Sequence, residues 1–183
     1  MVTLLTVGHG TLPADAFTQL VVDARVDAVV DVRSFPASRR HPHFRREAME
    51  RWLVDAGVTY RWEPRLGGRR TARPDSAHAA LRVPGFRGYA DHMETAEFVT
   101  ALDELLAGAE EERTAVMCAE SVWWRCHRRL LADAAILLRG FAVEHLFHDG
   151  RVAPHRLTPE ARVEGNHILY DGGKATLPLR ESP

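Results

Sequence analysis

The sequence predicts an α/β protein with a three-layer, Rossmann-like, open and mostly parallel sheet of about five strands that is flanked by helices. Short apolar runs of strand length alternate along the chain with segments in which apolar residues recur at helical spacing. A strand, a helix and a second strand in this order form the unit from which parallel sheets are built. With 183 residues, of which 45% are hydrophobic, the chain can bury a substantial core. We therefore expect one domain over residues 1–183, less regular from about residue 150 onward.

Five segments have the length and apolar character of buried strands, namely residues 2–7, 27–32, 58–62, 114–118 and 142–147. Helical spacing of apolar residues is found between them, in residues 17–24, 44–56, 98–106 and 124–139. Thr11 and Thr95 are candidate N-caps, and Gly140 is a candidate stop signal for the last of these helices. In the less regular C-terminal part, a short helix is predicted to start at Thr158 and an extra strand at residues 166–170.

Residues 114–138 place both cysteines of the chain at a junction between a strand and a helix. Cys118 ends the predicted strand, Glu120 follows it, and Cys126 and His127 fall in the first turn of the predicted helix. In open α/β sheets, ligands bind at such junctions, outside the carboxyl ends of the strands. We therefore expect the functional site of the protein here.

The same junction favours a reactive thiol. The amino terminus of a helix has unpaired N–H groups and about half a positive charge, and both stabilise a thiolate or a bound anion. Arg125, Arg128 and Arg129 add positive charge in the same place. We therefore predict that Cys126, and less directly Cys118, ionises more readily than an ordinary thiol.

These residues also resemble the motif of a known family. Cys118-Ala119-Glu120, followed after five residues by Cys126-His127-Arg128, is similar to the CAE…CHR motif of DUF488, a family of uncharacterised bacterial and archaeal proteins. Further matches occur in the same order over roughly the first 150 residues. They are Val7-Gly8-His9, Val30-Asp31-Val32-Arg33-Ser34 with Pro36, Ser38 and Arg39, Leu66-Gly67-Gly68-Arg69, and Phe86-Gly88-Tyr89. The resemblance implies an α/β domain with a grouped site, and it implies no particular reaction.

A parallel sheet brings the ends of several strands to one edge. On that edge we expect eight residues, His9, Asp31, Arg33, Gly67, Gly68, Arg69, Cys118 and Glu120. Arg33, Arg39 and Arg69 are candidates to hold a phosphate or carboxylate group. Ser38 lies beside Arg39 in the same basic loop, and the resemblance adds Tyr89 and Arg128 to these candidates for substrate or anion binding.

Five residues are candidates for catalysis. The thiols of Cys118 and Cys126 are candidate nucleophiles, and the candidate bases are His9, Glu120 and His127. Structural roles stay open for several of them. Cys118 continues an apolar strand and equally fits a small buried hydrophobic residue. Asp31 can serve as no more than a partner for Arg33, and His127 can belong to the apolar face of its helix.

Three functions fit these residues. The first is an enzyme, a hydrolase or transferase with a cysteine nucleophile, that acts on a small anionic or nucleotide-like substrate. The second is a metal-binding protein, although two cysteines separated by seven residues and followed directly by histidine are not a standard zinc pattern. The third is a nucleic-acid- or ligand-binding module without catalysis that uses the basic loops at residues 33–46 and 61–73.

Composition restricts the partners and the location. The formal net charge of −1 provides no overall attraction to nucleic acid or to a membrane, so we expect a small anionic ligand and do not favour nucleic acid. Two cysteines cannot build a disulfide framework, and the sequence shows no signal peptide or long apolar segment, so we expect the reducing cytoplasm. The cofactor stays unassigned, with a transition metal as the candidate, and the sequence does not specify the oligomeric state.

Overall fold

A computed structural model describes residues 2–173, and in this part of the chain six strands form the main sheet. They are β1 (Thr3–Gly8), β2 (Ala28–Asp31), β3 (Thr59–Trp62), β4 (Thr114–Cys118), β5 (Ala142–Leu146) and β6 (Val152–Pro154). The strand order is β3–β2–β4–β1–β5–β6, and all neighbours are parallel except β6, which runs antiparallel to β5. The α/β class with a mostly parallel sheet is therefore confirmed, while the order of the strands is only loosely Rossmann-like.

Five helices accompany the sheet within the described residues. They are α1 (Ala14–Asp23), α2 (Arg46–Asp55), α3 (Pro84–Met93), α4 (Ala96–Glu111) and α5 (Arg128–Arg139). The apolar residues of α1 and α2 pack in one core on one face of the sheet, and those of α3, α4 and α5 pack in a second core on the other face. This arrangement gives the three layers that the sequence predicts.

The alternation of side chains along each strand decides which core a residue joins. Leu5 and Val7 belong to the core beneath α1 and α2, whereas Leu4 belongs to the core beneath α3, α4 and α5. On β4, Met117 joins the first of these cores and Cys118 the second. Cys118 therefore points away from α1 and α2 and toward α5, the helix that follows its strand.

Helices α1 and α5 begin differently from the predictions. Pro13, rather than Thr11, occupies the N-cap position of α1, and no side chain caps it. Thr95 caps α4 as predicted, since its Oγ1 accepts a hydrogen bond from the N–H of Phe98. Helix α5 ends at Gly140, with a φ of +66°, as predicted, but it starts later than predicted. A short 3-10 turn comes first, so Cys126 lies in extended backbone ahead of the helix.

The C-terminal part is more regular than predicted. Instead of a helix starting at Thr158, the chain forms a hairpin of β7 (Ala161–Glu164) and β8 (His167–Tyr170), which confirms the extra strand. Residues 174–183 of the predicted extension lie outside the described residues. In residues 2–173, no helix combines the length and apolar character that crossing a bilayer requires.

Candidate thiol site

The two cysteines meet at the carboxyl end of β4. The Sγ atoms of Cys118 and Cys126 are 2.6 Å apart, and both side chains are buried. Cys118 is the last residue of β4, and Cys126 reaches it from the extended segment before α5. Both are free thiols. The fold thus turns a spacing of eight residues in sequence into direct contact between two sulfur atoms.

Arg128 supplies a buried positive charge to this pair. Its side chain is only 1% exposed, and its Nε donates a hydrogen bond of 3.4 Å to the Sγ of Cys126. Its backbone N–H, in the first turn of α5, donates to the same sulfur atom over 3.5 Å. Among the described residues, no carboxylate forms an ion pair with Arg128. Since a buried cation is costly without a negative partner, a thiolate at Cys126 is the natural counter-charge.

The two thiols have opposite pKa shifts. Burial alone would raise the pKa of Cys126, but the hydrogen bond from Cys118 and the charges of His127 and Arg128 lower it well below the ordinary thiol value. The pKa of Cys118 is raised well above that value by its hydrogen bond to Cys126 and by burial. These opposite directions make Cys126, rather than Cys118, the thiol that ionises more readily, with Cys118 as the donor in the contact between the two sulfur atoms.

His127 completes the site. Its Nδ1 is 3.6 Å from the Sγ of Cys126, and its Nε2 is buried without a hydrogen-bond partner. Gly68 packs directly against the ring, because a Cβ atom at that position would lie 2.3 Å from Nδ1. The ring of Tyr89 lies 5.0 Å away, and its hydroxyl donates to the carbonyl of Leu66 in the segment that leads to Gly68. His127 is thus enclosed, with one ring nitrogen left for a further partner.

The same atoms have the donor set of a metal centre. The two Sγ atoms and one ring nitrogen of His127 all lie within 4.8 Å of one another. Two thiolates and one imidazole suit zinc, and a site with three protein ligands leaves a position for a substrate or water. The guanidinium of Arg128 counts against this arrangement, because it places a cation on the sulfur of Cys126.

His9, Asp31 and Arg33 form a separate cluster. Arg33 pairs with Asp31 over 2.6 Å, and the hydroxyl of Tyr60 donates to the same carboxylate. Arg33 also lies 3.2 Å from the Nε2 of His9, whose ring stacks on Phe44. Burial and the charge of Arg33 lower the pKa of His9 to about 4, so its ring is neutral at neutral pH. The polar groups of these residues are therefore paired with one another.

This second cluster lies on the opposite face of the sheet from the cysteines. Asp31 is aligned with Met117 across the parallel pair of β2 and β4, one residue before Cys118. Since neighbouring positions on a strand point to opposite faces, Asp31 and Cys118 end at the same edge but on different sides. The structure therefore does not bring His9, Asp31 or Arg33 together with the thiols, although all of them lie near the carboxyl ends of the strands.

Glu120 contributes its main chain to the site and not its carboxylate. The side chain is exposed, while its carbonyl oxygen accepts a hydrogen bond from the guanidinium of Arg128. Gly8 makes this approach possible, since a Cβ atom there would collide with the same carbonyl group. The catalytic role predicted for the Glu120 carboxylate has no contact in the described structure to support it.

The remaining anion-binding candidates lie on surface loops. Arg39 and Arg69 are exposed, and the hydroxyl of Ser38 accepts from the N–H of His41. The N–H of Arg69 donates to the hydroxyl of Ser34, and Gly67 packs against that same hydroxyl. The loop after β3 is thus fastened to the loop after β2, close to Gly68 and His127.

A buried polar chain beside the thiol site escaped the sequence analysis. It begins at Thr6, whose hydroxyl is 2.6 Å from Nδ1 of His145, and Nε2 of His145 is 2.9 Å from Nδ1 of His155. His155 is in turn 2.9 Å from a carboxylate oxygen of Asp133, and the hydroxyl of Tyr170 donates to the other oxygen. Each of these polar groups has a partner, as buried polar groups require.

The only signal in the sequence for these buried polar groups was the position of His145 in a predicted strand. Val143 and His145 are two residues apart on β5, so they share a face, and Val143 belongs to the same core as Cys118. Burial, together with the charges of His155 and Arg128, lowers the pKa of His145 to about 3. Trp123, from the turn before Cys126, stacks on the His145 ring at 4.2 Å. The polar chain therefore supports the turn that positions Cys126.

Comparison with known proteins gives a family without an activity. Residues 13–135 match the model of a family described as a domain of unknown function, DUF488. The match covers more than half of the chain, includes Cys118, Cys126 and Arg128, and confirms the resemblance that the sequence motifs suggest. No curated protein and no solved structure gives a significant match.

Proposed function

We propose that this protein, which belongs to the DUF488 family, is an enzyme whose nucleophile is the thiolate of Cys126 and whose substrate is a small anionic molecule. The observation that carries the proposal is the contact of 3.4 Å between Nε of the buried Arg128 and the Sγ of Cys126. A neighbouring cation holds a thiol in its ionised form, and the thiolate is the nucleophilic form of cysteine.

The neighbouring side chains have distinct roles in this proposal. Cys118 donates a hydrogen bond to the thiolate and helps to keep its pKa low. His127 is the candidate for proton transfer, because its Nε2 is buried and has no partner while its Nδ1 faces the sulfur. A hydrolase or a transferase reaction would begin with attack of the Sγ of Cys126 on an electrophilic centre of the substrate, while the bond to the leaving group breaks and His127 protonates that group. Water, in a hydrolase, or an acceptor molecule, in a transferase, would then displace the sulfur and restore the thiolate.

Access to the sulfur requires a local movement. Cys126 is only 3% exposed, whereas all of residues 119–125, which precede it, are exposed or partly exposed. Two contacts hold this segment in place. The carbonyl of Glu120 accepts a hydrogen bond from Arg128, and the ring of Trp123 stacks on the ring of His145. We propose that this segment opens to admit the substrate, which would exclude water from the thiolate in the closed state.

Alkylation of the native protein tests the nucleophile. We expect iodoacetamide to modify Cys126 in preference to Cys118, and to keep doing so at a pH below the range in which ordinary thiols react. Mass spectrometry of peptides identifies the modified residue, with Cys126→Ser and Cys118→Ser variants as matched controls. If the native protein protects Cys126 from reagents that modify it after unfolding, at every pH, the proposed nucleophile is wrong.

A metal centre is the second candidate, and the three ligand atoms within 4.8 Å favour it. The test is the metal content of protein purified without a chelating tag and without added metal. A near-stoichiometric transition metal that is lost in Cys118→Ser and in Cys126→Ser would support it, and Arg128→Met should then increase the affinity by removing the competing cation. A metal-free protein that also fails to bind added zinc would exclude this candidate.

A further inference from the structure

We infer, resting on the proposed function, that a groove at the same edge of the sheet as the thiol site binds the aromatic ring and the phosphate of a substrate of the nucleoside monophosphate class. The groove lies between the loop after β2, the start of α2 and the end of β3. Its main walls are Phe35, Pro36, Ala37, Arg45, Arg46 and Trp62, and we call it the aromatic groove. None of these side chains belongs to the thiol site.

The size of the aromatic groove restricts its occupant. It has a volume of about 330 Å³. Pockets for small molecules start at about this volume, so the groove has room for one ring system with a short charged group. A cavity this small does not accommodate a folded partner.

Two aromatic side chains give the groove flat, apolar walls. Phe35 is 70% exposed, more than any other large apolar side chain among the described residues. Trp62 is held in place because its Nε1 donates a hydrogen bond of 2.9 Å to the carbonyl of Arg33. A planar ring placed in the groove would cover the exposed ring of Phe35, beside the fixed ring of Trp62. The walls therefore favour an aromatic ligand over an aliphatic one.

Arginines give the groove its charge. The guanidinium of Arg46 lies 4.7 Å above the centre of the Trp62 ring, and Nε of Arg45 donates to the carbonyl of Ser38. Within residues 2–173, neither of these arginines forms an ion pair, and the exposed Glu47 at the groove stays more than 4.0 Å from both. Their remaining N–H groups suit a phosphate, which arginine binds through two parallel hydrogen bonds.

One loop connects the aromatic groove to the thiol site. The guanidinium of Arg69 lies 5.9 Å from the Phe35 ring, and the N–H of Arg69 donates to the hydroxyl of Ser34 at the groove. The next residue back along the chain, Gly68, packs against the ring of His127. The loop therefore contacts both the groove, through Arg69, and the thiol site, through Gly68 on the ring of His127.

Calorimetric titration of the full chain tests the groove, with adenosine monophosphate, adenosine and inorganic phosphate as probes. Since the ring and the phosphate each gain contacts, we expect the monophosphate to bind at least about tenfold more tightly than either part alone. Arg46→Ala should weaken binding of the monophosphate by about tenfold and leave adenosine unchanged. Phe35→Ala should weaken both. The matched control is Arg51→Ala, which removes an exposed arginine from the same helix outside the groove.

Equal binding of the monophosphate and of inorganic phosphate would overturn this inference. So would equal loss of binding in Arg46→Ala and Arg51→Ala. A Cys126→Ser variant separates the groove from the chemistry. Retained binding in that variant, with no reactive thiol in the parent protein, would support the groove and refute the nucleophile. A reactive thiol with no binding of the monophosphate would refute the groove alone.

Discussion

The guanidinium of Arg128 lies against the sulfur atom of Cys126: the Nε of one is 3.4 Å from the Sγ of the other, and both side chains are buried. The contact spans two positions in sequence, so it is set by how the chain enters α5. Cys126 is extended, His127 occupies the N-cap position, and Arg128 is the first residue of the helix. This entry directs both the guanidinium and a backbone N–H of Arg128 onto one sulfur atom.

A double-mutant cycle should measure the coupling between these two residues. Cys126→Ala leaves the Arg128 guanidinium buried without a counter-ion, so we expect a loss of about 3 kcal/mol in the free energy of unfolding. Combining it with Arg128→Met should cost less than the sum of the two single variants, by at least about 1 kcal/mol, because the double variant leaves no unpaired charge. Urea unfolding gives these values.

The matched control is Arg139→Met on the same helix. Arg139 pairs with Asp103 at the surface, so its loss should change the free energy of unfolding by less than about 1 kcal/mol and should be additive with Cys126→Ala. If Arg128→Met and Cys126→Ala also proved additive, the thiolate would not be the counter-ion of Arg128.

Replacement of Cys118 should affect the chemistry of Cys126 without abolishing it. The hydrogen bond from Cys118 lowers the pKa of Cys126, so Cys118→Ala should raise that pKa. The pH dependence of the alkylation rate should therefore move to higher pH, with the maximum rate retained. In the reciprocal variant, Cys126→Ala, Cys118 should react slowly at neutral pH because burial keeps its pKa high. Faster alkylation of Cys118 than of Cys126 in the native protein would contradict this assignment.

Gly68 should be needed for the position of His127. A Cβ atom at residue 68 would lie 2.3 Å from Nδ1 of His127, so Gly68→Ala must displace the ring or the loop. We expect a loss of about 1–3 kcal/mol in the free energy of unfolding and a changed rate of Cys126 alkylation. Gly85→Ala is the control, because the corresponding Cβ atom has nothing within 4 Å and Gly85 lies in α3. That variant should be neutral or slightly stabilising, and a neutral Gly68→Ala would show that the loop adapts.

The sequence was sufficient for the five parallel strands and for the motif, because both are local, but it did not predict the antiparallel strand β6. Residues 114–118 form a buried strand as expected, and Thr95 caps its helix. Assigning residues to one site because they follow strand ends was less reliable. A strand end places a residue at an edge of the sheet but does not determine on which face its side chain lies. Asp31 and Cys118 share the edge, but the one-residue offset in their register puts them on opposite sides. Such an offset depends on strand pairing, which no local pattern encodes.

Most of the buried polar chain could not be predicted, for a similar reason. His145 lies on β5, His155 follows β6 ten residues later, and Asp133 lies on α5. In sequence each of them looks like an ordinary polar residue of a strand or helix. Only the packing of β5, β6 and α5 shows that they satisfy one another in the core. The contact between Cys118 and Cys126 likewise requires the position of the 3-10 turn, which the helical pattern of residues 124–139 concealed.

Two buried histidines should make the protein sensitive to acid. The folded protein holds the pKa of His9 at about 4 and that of His145 at about 3, against an ordinary value of 6.5, chiefly through burial. Below pH 6.5 the unfolded chain therefore binds protons that the folded chain does not, and the free energy of unfolding falls as the pH falls toward 4. The slope should be about 1 kcal/mol per pH unit for each histidine.

Urea unfolding between neutral pH and pH 4 tests this sensitivity through His145→Gln. The variant should be less stable at neutral pH, because it disturbs the hydrogen bonds to Thr6 and His155, yet its stability should depend less steeply on pH. His167→Gln, which replaces an exposed histidine on β8, should keep the full slope of the parent protein. The two effects of His145→Gln have separate causes, since the first reflects lost contacts and the second a lost proton-binding site in the unfolded chain. An unchanged slope in His145→Gln would mean that His145 takes up its proton without unfolding, and the polar chain would then accommodate a charged imidazole.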